Sequence, residues 1–335
     1  MKPSVNEKII DVDGLKTYFF SSAGIARAVD GVSFFMNAGE VLGVVGESGS
    51  GKSVTAQSIM RLIPEPPGKI VGGRIDFDGA NLLDLSPQEM RHVRGNRIAM
   101  IFQEPMTSLN PVFTIGNQIS EMFILHRNLS RKDALDASID MLDRVQIPAP
   151  HRRVHEYPHQ LSGGMRQRAM IAMALACDPE VLIADEPTTA LDVTVQAQIL
   201  DLMLTLKEDY GAAVQMITHD LGVIAEMADR IVVMYAGRVV EASSTREIFR
   251  HPLHPYTIGL LASIPVLGSR TAGETRRLKE IKGMVPSLVA LPEGCKFCDR
   301  CTHVMDVCRH REPDLTDVSS GHRVRCWLHV EKPPS

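Results

Sequence analysis

The apolar and polar positions change rhythm several times along the chain. Over roughly the first 40 residues, apolar and polar side chains alternate between turn breaks, the period-two pattern of an antiparallel β region. Val41-Leu42-Gly43-Val44-Val45 is a continuous apolar run, as in a strand buried on both faces. A helix is expected from Lys52 to Leu62, stopped by Pro64, Pro66 and Pro67. Segments at residues 98–102, 181–184, 214–218 and 231–234 predict further strands, and helical periodicity runs through 115–145, 165–177 and 192–209. Strands alternating with helices predict an α/β core with a parallel sheet. The stretch at about 115–175 interrupts the alternation and reads as a separate helical subdomain. His251-Pro252-Leu253-His254-Pro255 breaks the pattern, and a short helical stretch then runs to about 263. Residues 283–335 hold prolines, glycines, charges and cysteines but few large aliphatics, a composition that needs a metal staple to fold independently. There is no internal repeat and no low-complexity tract.

Composition narrows the class. With 44% hydrophobic and 23% charged residues, the chain is not disordered, collagenous or a coiled coil. Its 335 residues suit one large domain or two. A net charge of −4 and 5% aromatics exclude a basic nucleic-acid binder and a wide base-stacking platform. No apolar run approaches the ~18 residues of a spanning helix, and the first ten residues lack the apolar core of a secretory signal. A place in the cytosol, or on the cytosolic face of a membrane, is expected. Five of the six cysteines lie between Cys295 and Cys326. In a reducing compartment such a cluster reads as a metal or iron–sulfur site before it reads as disulfides. Cys177 stands apart on an apolar helix face, as a small buried hydrophobe does.

Gly46-Glu47-Ser48-Gly49-Ser50-Gly51-Lys52-Ser53 completes the pattern G-x-x-x-x-G-K-[ST] between a strand and a helix. The glycines permit positive φ and close backbone approach, so that successive amides and the helix N-terminus face phosphate oxygens. Lys52 would reach the β- and γ-phosphates, and Ser53 would bind Mg²⁺. A second strand ends in Asp185-Glu186. Asp185 suits Mg²⁺ or its water shell, and Glu186 suits the general base that polarises the attacking water. Together these features describe a P-loop NTPase.

Leu161-Ser162-Gly163-Gly164-Met165-Arg166-Gln167, preceded by Gln160, resembles the signature of ATP-binding cassette (ABC) ATPases. The resemblance covers residues 8 to 250 or so. It implies a RecA-like parallel-sheet core with an antiparallel β subdomain and a helical subdomain. Gln103 resembles the Q-loop glutamine, which senses both Mg²⁺ and the membrane partner. Thr189-Ala190-Leu191-Asp192 resembles the D-loop, and His219 the switch histidine that contacts the γ-phosphate. Phe19 takes the place of the aromatic that stacks on adenine, with Tyr18 and Phe20 as neighbouring candidates. The family also implies that ATP is held between two cassettes, Ser162, Gly163 and Gly164 of one donating to the γ-phosphate bound by the other. ATP then closes the dimer and hydrolysis opens it.

Three further segments resemble the dipeptide/oligopeptide/nickel importer ATPases: Gln103-Glu-Pro-Met-Thr-Ser-Leu-Asn-Pro111, Tyr157-Pro-His-Gln-Leu-Ser-Gly-Gly164 and His251-Pro-Leu-His-Pro-Tyr-Thr257. His251 and His254 read as turn residues rather than metal ligands. The resemblance implies a nucleotide-binding domain over 1–250 and a C-terminal extension over 251–335. By the family pattern, Cys295, Cys301, Cys308 and Cys326 hold a [4Fe–4S] cluster. Cys298 departs from that pattern and leaves an alternative ligand set, since C-x₂-C-x₂-C also resembles the ferredoxin run. Four thiolates equally suit structural Zn²⁺, and free or oxidised thiols are the third reading. The implied protein is an ATP-hydrolysing importer subunit at the cytoplasmic face of the membrane, bound to two permease subunits. A second ABC ATPase, identical or related, would complete the dimer, and an extracytoplasmic binding protein would deliver the solute, with no nucleic acid involved. The rival is a soluble ABC ATPase acting on ribosomes or DNA. Such proteins generally carry two cassettes or a long coiled-coil insertion, and neither is present. An export ATPase is disfavoured by the importer-like segments.

Overall fold

The computed structural model describes residues 7–104, 108–189, 192–263 and 280–330. In chain order the first elements are β1 (Lys8–Ser21), β2 (Gly24–Asn37), β3 (Val41–Val45), α1 (Lys52–Ile59), β4 (Gly68–Phe77), β5 (Ala80–Asn81), α2 (Pro87–Val93) and β6 (Ile98–Ile101). Helices α3 (Ile115–Arg127), α4 (Arg131–Arg144), α5 (Pro150–Arg153) and α6 (Gly163–Leu175) follow. Then come β7 (Val181–Asp185), α7 (Val193–Tyr210), β8 (Ala213–Ile217), α8 (Leu221–Met227), β9 (Arg230–Tyr235), β10 (Arg238–Ser244), α9 (Thr245–Arg250) and α10 (Pro255–Ala262). The C-terminal stretch adds α11 (Asp306–His310), β11 (Thr316–Ser319) and β12 (His322–Val324). The mixed sheet and the helical subdomain expected of a cassette are both present. Among the described residues no helix is long and apolar enough to cross a membrane.

The chain forms two compact units. The first comprises the described residues up to Ile10, Met36–Glu40 and Phe77–Ile217. Its strands β6, β7 and β8 run parallel, with Ile98 opposite Val181 and Val181 opposite Ala213. Every residue of the three is buried, which is why apolar side chains dominate them rather than alternating with polar ones, Gln215 at the centre of β8 being a buried exception. The periodic stretch 115–145 is two helices, not one. Asn128 ends α3 in the left-handed conformation at φ 54°, and Ser130 starts α4 by accepting from Asp133 N–H. A buried bond between the Ser120 and Ser138 hydroxyls (2.8 Å) ties α3 to α4. Cys177 is buried as expected, and burial raises its thiol pKa.

The second unit comprises Asp11–Phe35, Val41–Asp76 and the described residues from Thr218 onward. Here β1 lies between β2 and β4. Strand β3 pairs parallel with β9, β9 pairs antiparallel with β10, and β10 with β12, Glu241 opposite Val324. The C-terminal stretch therefore does not stand alone as its composition suggested. It adds β12 to a sheet and roots Phe297 between Tyr235 and Tyr256, at ring separations of 5.2 and 5.5 Å. The carboxylate of Glu241 is fully buried and accepts from Leu253 N–H (2.7 Å), His254 N–H (3.0 Å) and His322 Nε2 (2.8 Å). Burying a carboxylate demands such partners, and these fix the histidine-proline break against β10.

His254 caps α10, its Nδ1 accepting from Tyr256 N–H (3.0 Å). It is thus the turn residue anticipated. Burial, with smaller contributions from His329 and Arg325, lowers its pKa from 6.5 to about 3. The unfolded chain binds a proton here below pH 6.5 that the folded chain refuses until about pH 3. This contribution to stability is therefore complete above the unfolded pKa and is lost as pH falls, by up to about 1.4 kcal/mol per pH unit. Thermal unfolding measured from neutral pH downward should show that slope. His254→Asn, which keeps a capping acceptor but does not titrate, should flatten it.

Candidate functional site

In the second unit, β3 leads into the glycine-rich loop. Gly46 sits at φ 152° and Gly51 at φ 99°, and a Cβ on either would meet a backbone oxygen, Met234 O at 2.2 Å or Ala28 O at 2.3 Å. Only glycine fits both the conformation and the space. Gly51 is the N-cap of α1, so the loop closes on a helix N-terminus. The Lys52 ammonium is buried and donates to Gly46 O (2.7 Å) and Glu47 O (3.0 Å). Ser48 and Gly49 are exposed, Ser50 is buried and its carbonyl accepts from Gly237 N–H (2.9 Å), and Ser53 follows Lys52 in the first turn of α1. The loop thus gathers backbone groups and one buried ammonium at a helix N-terminus, the arrangement that takes polyphosphate.

His219 follows β8, exposed, on the same unit. The next residue, Asp220, accepts from Gly222 and Val223 N–H and starts α8. Of the three aromatic candidates, Tyr18 is committed elsewhere. Its hydroxyl donates to Asp30 (2.6 Å), and burial followed by that bond pushes its pKa up to about 12. Phe19 is half-buried with its ring against Gly68, and Phe20 is exposed.

In the first unit, β7 delivers Asp185, buried, and Glu186 beside it. Glu186 holds φ 46°, a left-handed conformation that costs a non-glycine residue of order 1 kcal/mol and more. Hydrogen bonds hold it in place. Glu186 N–H donates to Ile217 O (2.8 Å), while its carboxylate accepts from Gln103 Nε2 (2.9 Å) and Thr189 Oγ1 (2.9 Å). The glutamine and the carboxylate singled out by sequence are therefore in direct contact. Thr189 was noted only as part of the D-loop motif, and its bond to Glu186 has no sequence signal. Ser162 is the N-cap of α6 and accepts from Met165 N–H (3.3 Å). Ser162 and Gly163 are exposed and Gly164 is half-buried, so the start of this helix faces outward. Asp192 caps α7 by accepting from Val195 N–H (3.0 Å). Ala190 and Leu191 of the D-loop, and Pro105, Met106 and Thr107 after Gln103, lie outside the described residues.

The C-terminal cysteines converge. Cys295, Cys298, Cys301, Cys308 and Cys326 line one void of about 10 Å³ with His254, the size of a single water. Burial pushes the Cys295 thiol up to about 12 and the Cys326 thiol up to about 11, and raises Cys298 and Cys301. Among the described residues, however, no group of three or more His, Cys, Asp or Glu is arranged to hold a metal ion. The sulfurs share a cavity without standing in a ligating geometry.

A phosphate loop, a strand-end carboxylate pair and a Ser-Gly-Gly helix start are the motifs of an ATPase of the ABC class. The ABC transporter family model matches residues 29–189, and that of the oligopeptide/dipeptide transporter C-terminal region matches residues 240–308. The chain belongs to the ATP-binding subunits of the peptide ABC transporters. It is 55% identical to a probable peptide ABC transporter ATP-binding protein, y4tR, of Sinorhizobium fredii over 96% of both chains. It is 50% identical to the oligopeptide transport ATP-binding protein AppD of Bacillus subtilis over 97% of this chain and 98% of that one. Among solved structures it resembles the dimeric post-hydrolysis state of the cassette MJ0796 bound to ADP and Pi. That match has TM-score 0.64 and 28% identity, covering 71% of this chain and 99% of the other. The protein is an ATP-hydrolysing transporter subunit with the RecA-like cassette fold.

Proposed function

We propose that the chain powers import of di- or oligopeptides, or a related small solute, from the cytoplasmic face of the membrane. The observation that carries this is the oligopeptide/dipeptide C-terminal region, joined to a complete set of cassette motifs in a chain that peptide-transport relatives match over 96–97% of its length. Lys52 takes the β- and γ-phosphates with the loop amides of residues 46–51. Ser53, Gln103 and Asp185 are assigned to Mg²⁺ and its water shell, and Phe19 to adenine. Glu186 activates water, His219 contacts the γ-phosphate, and Ser162, Gly163, Gly164 and Asp192 serve a partner cassette. The nucleotide-binding domain is assigned to 1–250 and the extension to 251–335.

Two permease subunits, a second cassette and an extracytoplasmic binding protein complete the assembly. Val112, Phe113 and Leu125 of the first unit support a permease dock: they are exposed, between 50% and 69%, at the start and along the length of the helical subdomain. For the extension, five thiols around one void have the donor chemistry of a [4Fe–4S] site. Cys295, Cys301, Cys308 and Cys326 would hold it, with Cys298 the alternative ligand and Zn²⁺ the alternative metal. Its part would be to staple the extension.

Tagged protein extracted anaerobically from native membranes in mild detergent tests both points. Two permeases and a second cassette should co-purify, with iron and acid-labile sulfide in the preparation. Recovery with ribosomal or DNA-repair proteins instead would overturn the import reading. Absence of iron, sulfide and zinc would overturn the metal reading alone.

A further inference from the structure

Glu47 belongs to the phosphate loop, yet none of its polar groups is free to face a phosphate. Its N–H donates to the Tyr256 hydroxyl (2.8 Å) and its carbonyl accepts from Lys52 Nζ (3.0 Å). Its carboxylate accepts a two-pronged pair from Arg300, Nη1 at 2.6 Å and Nη2 at 3.0 Å. Arg300 comes from the cysteine-rich extension, 253 residues away, in the short turn between Cys298 and Cys301. Its side chain is only 5% exposed.

A guanidinium has five N–H donors in a fixed plane. Those of Arg300 meet five acceptors: the two Glu47 oxygens, Tyr235 Oη (3.3 Å), Ile281 O (3.2 Å) and Lys282 O (3.1 Å). The plane also lies 5.7 Å from the Tyr235 ring and 5.9 Å from the Phe297 ring. Such a group is held far more rigidly than a surface ion pair, and bidentate pairing fixes orientation as well as distance. Tyr256 packs on Tyr235 (4.7 Å) and fixes the backbone of Glu47 from the same side. The loop carbonyl that accepts from Lys52 is therefore anchored, through one residue, to the extension.

We infer that Arg300 is a positioning residue for ATP binding. It clamps Glu47, with Tyr256, so that the phosphate loop and Lys52 are held in their nucleotide-accepting form. The extension is then a working part of the nucleotide site. The inference rests on residues 46–53 being the phosphate-binding loop.

The test is ATP affinity and steady-state hydrolysis by the full-length protein. Arg300→Ala should raise the Kd and KM for ATP about tenfold, the range of a charge-assisted bond, with kcat changing much less. Arg300→Lys keeps the charge but not the fork, and should recover only part of the affinity. In a Glu47→Ala background, Arg300→Ala should add little, because the clamp is already lost. If Arg300→Ala fails to fold, Arg300→Lys and Glu47→Gln report the same coupling. Unchanged ATP affinity in folded Arg300 variants, or equal losses with and without Glu47, would overturn the inference. Lys52→Ala separates the two levels. ATP binding retained in Lys52→Ala would defeat the loop assignment itself, whereas binding lost there but intact in Arg300→Ala defeats only the clamp.

Discussion

Glu186→Gln should bind ATP and fail to turn it over. The glutamine is nearly the same size, so it can keep the left-handed backbone and accept from Gln103 and Thr189 through its carbonyl oxygen. What it lacks is a carboxylate to take a proton from water. Loss of a general base costs about 10²–10⁴ in rate, so hydrolysis should fall by at least about 100-fold. ATP binding should persist, and if hydrolysis opens the proposed cassette pair, the variant should accumulate as an ATP-bound dimer. Size-exclusion chromatography with and without ATP, beside a phosphate-release assay, reads both effects. Hydrolysis at the wild-type rate would remove Glu186 from the role of base.

Lys52→Ala fails one step earlier. The ammonium is buried and bonded to Gly46 O and Glu47 O, so it is held against the loop before any nucleotide arrives. Removing it takes away the loop's positive charge and leaves two carbonyls without that donor. A charge-assisted bond contributes about 1.5–3 kcal/mol, so ATP affinity should drop by roughly 10- to 100-fold. Turnover should fall with it and no ATP-dependent dimer should form. Fluorescent-nucleotide titration, with circular dichroism to establish that the variant folds, distinguishes this phenotype from that of Glu186→Gln.

The residues that sequence identified best are those whose constraint is local. Gly46 and Gly51 are glycines because a Cβ has neither room nor an accessible φ, and that requirement is written within eight positions. Strands β3, β6 and β7 are legible because burial on both faces leaves a mostly apolar run, and β8 is legible despite the buried Gln215 at its centre. Strand β10 was not, because Glu241 interrupts its pattern. A buried carboxylate there makes sense only with the amides of Leu253 and His254, beyond the end of the strand, and the ring of His322, 81 residues on, in place. Helix α2 was missed although its capping box, Ser86 to Glu89, is local and complete. The cysteine cluster was visible as a spacing, but its anchorage through Phe297 between Tyr235 and Tyr256 depends on aromatics scattered over 60 residues and more. Arg300 carries no signal at all: one arginine among charged neighbours, its partner at the other end of the chain.

The most direct test of the account is transport by the assembled complex. The protein should be reconstituted into vesicles with the proposed permeases and second cassette, and a labelled peptide presented with the proposed binding protein. ATP inside the vesicle-bound cassettes' compartment should drive peptide uptake, peptide-loaded binding protein should stimulate hydrolysis, and Glu186→Gln should abolish both. Hydrolysis indifferent to peptide and binding protein, or uptake that persists in the Glu186→Gln complex, would contradict it.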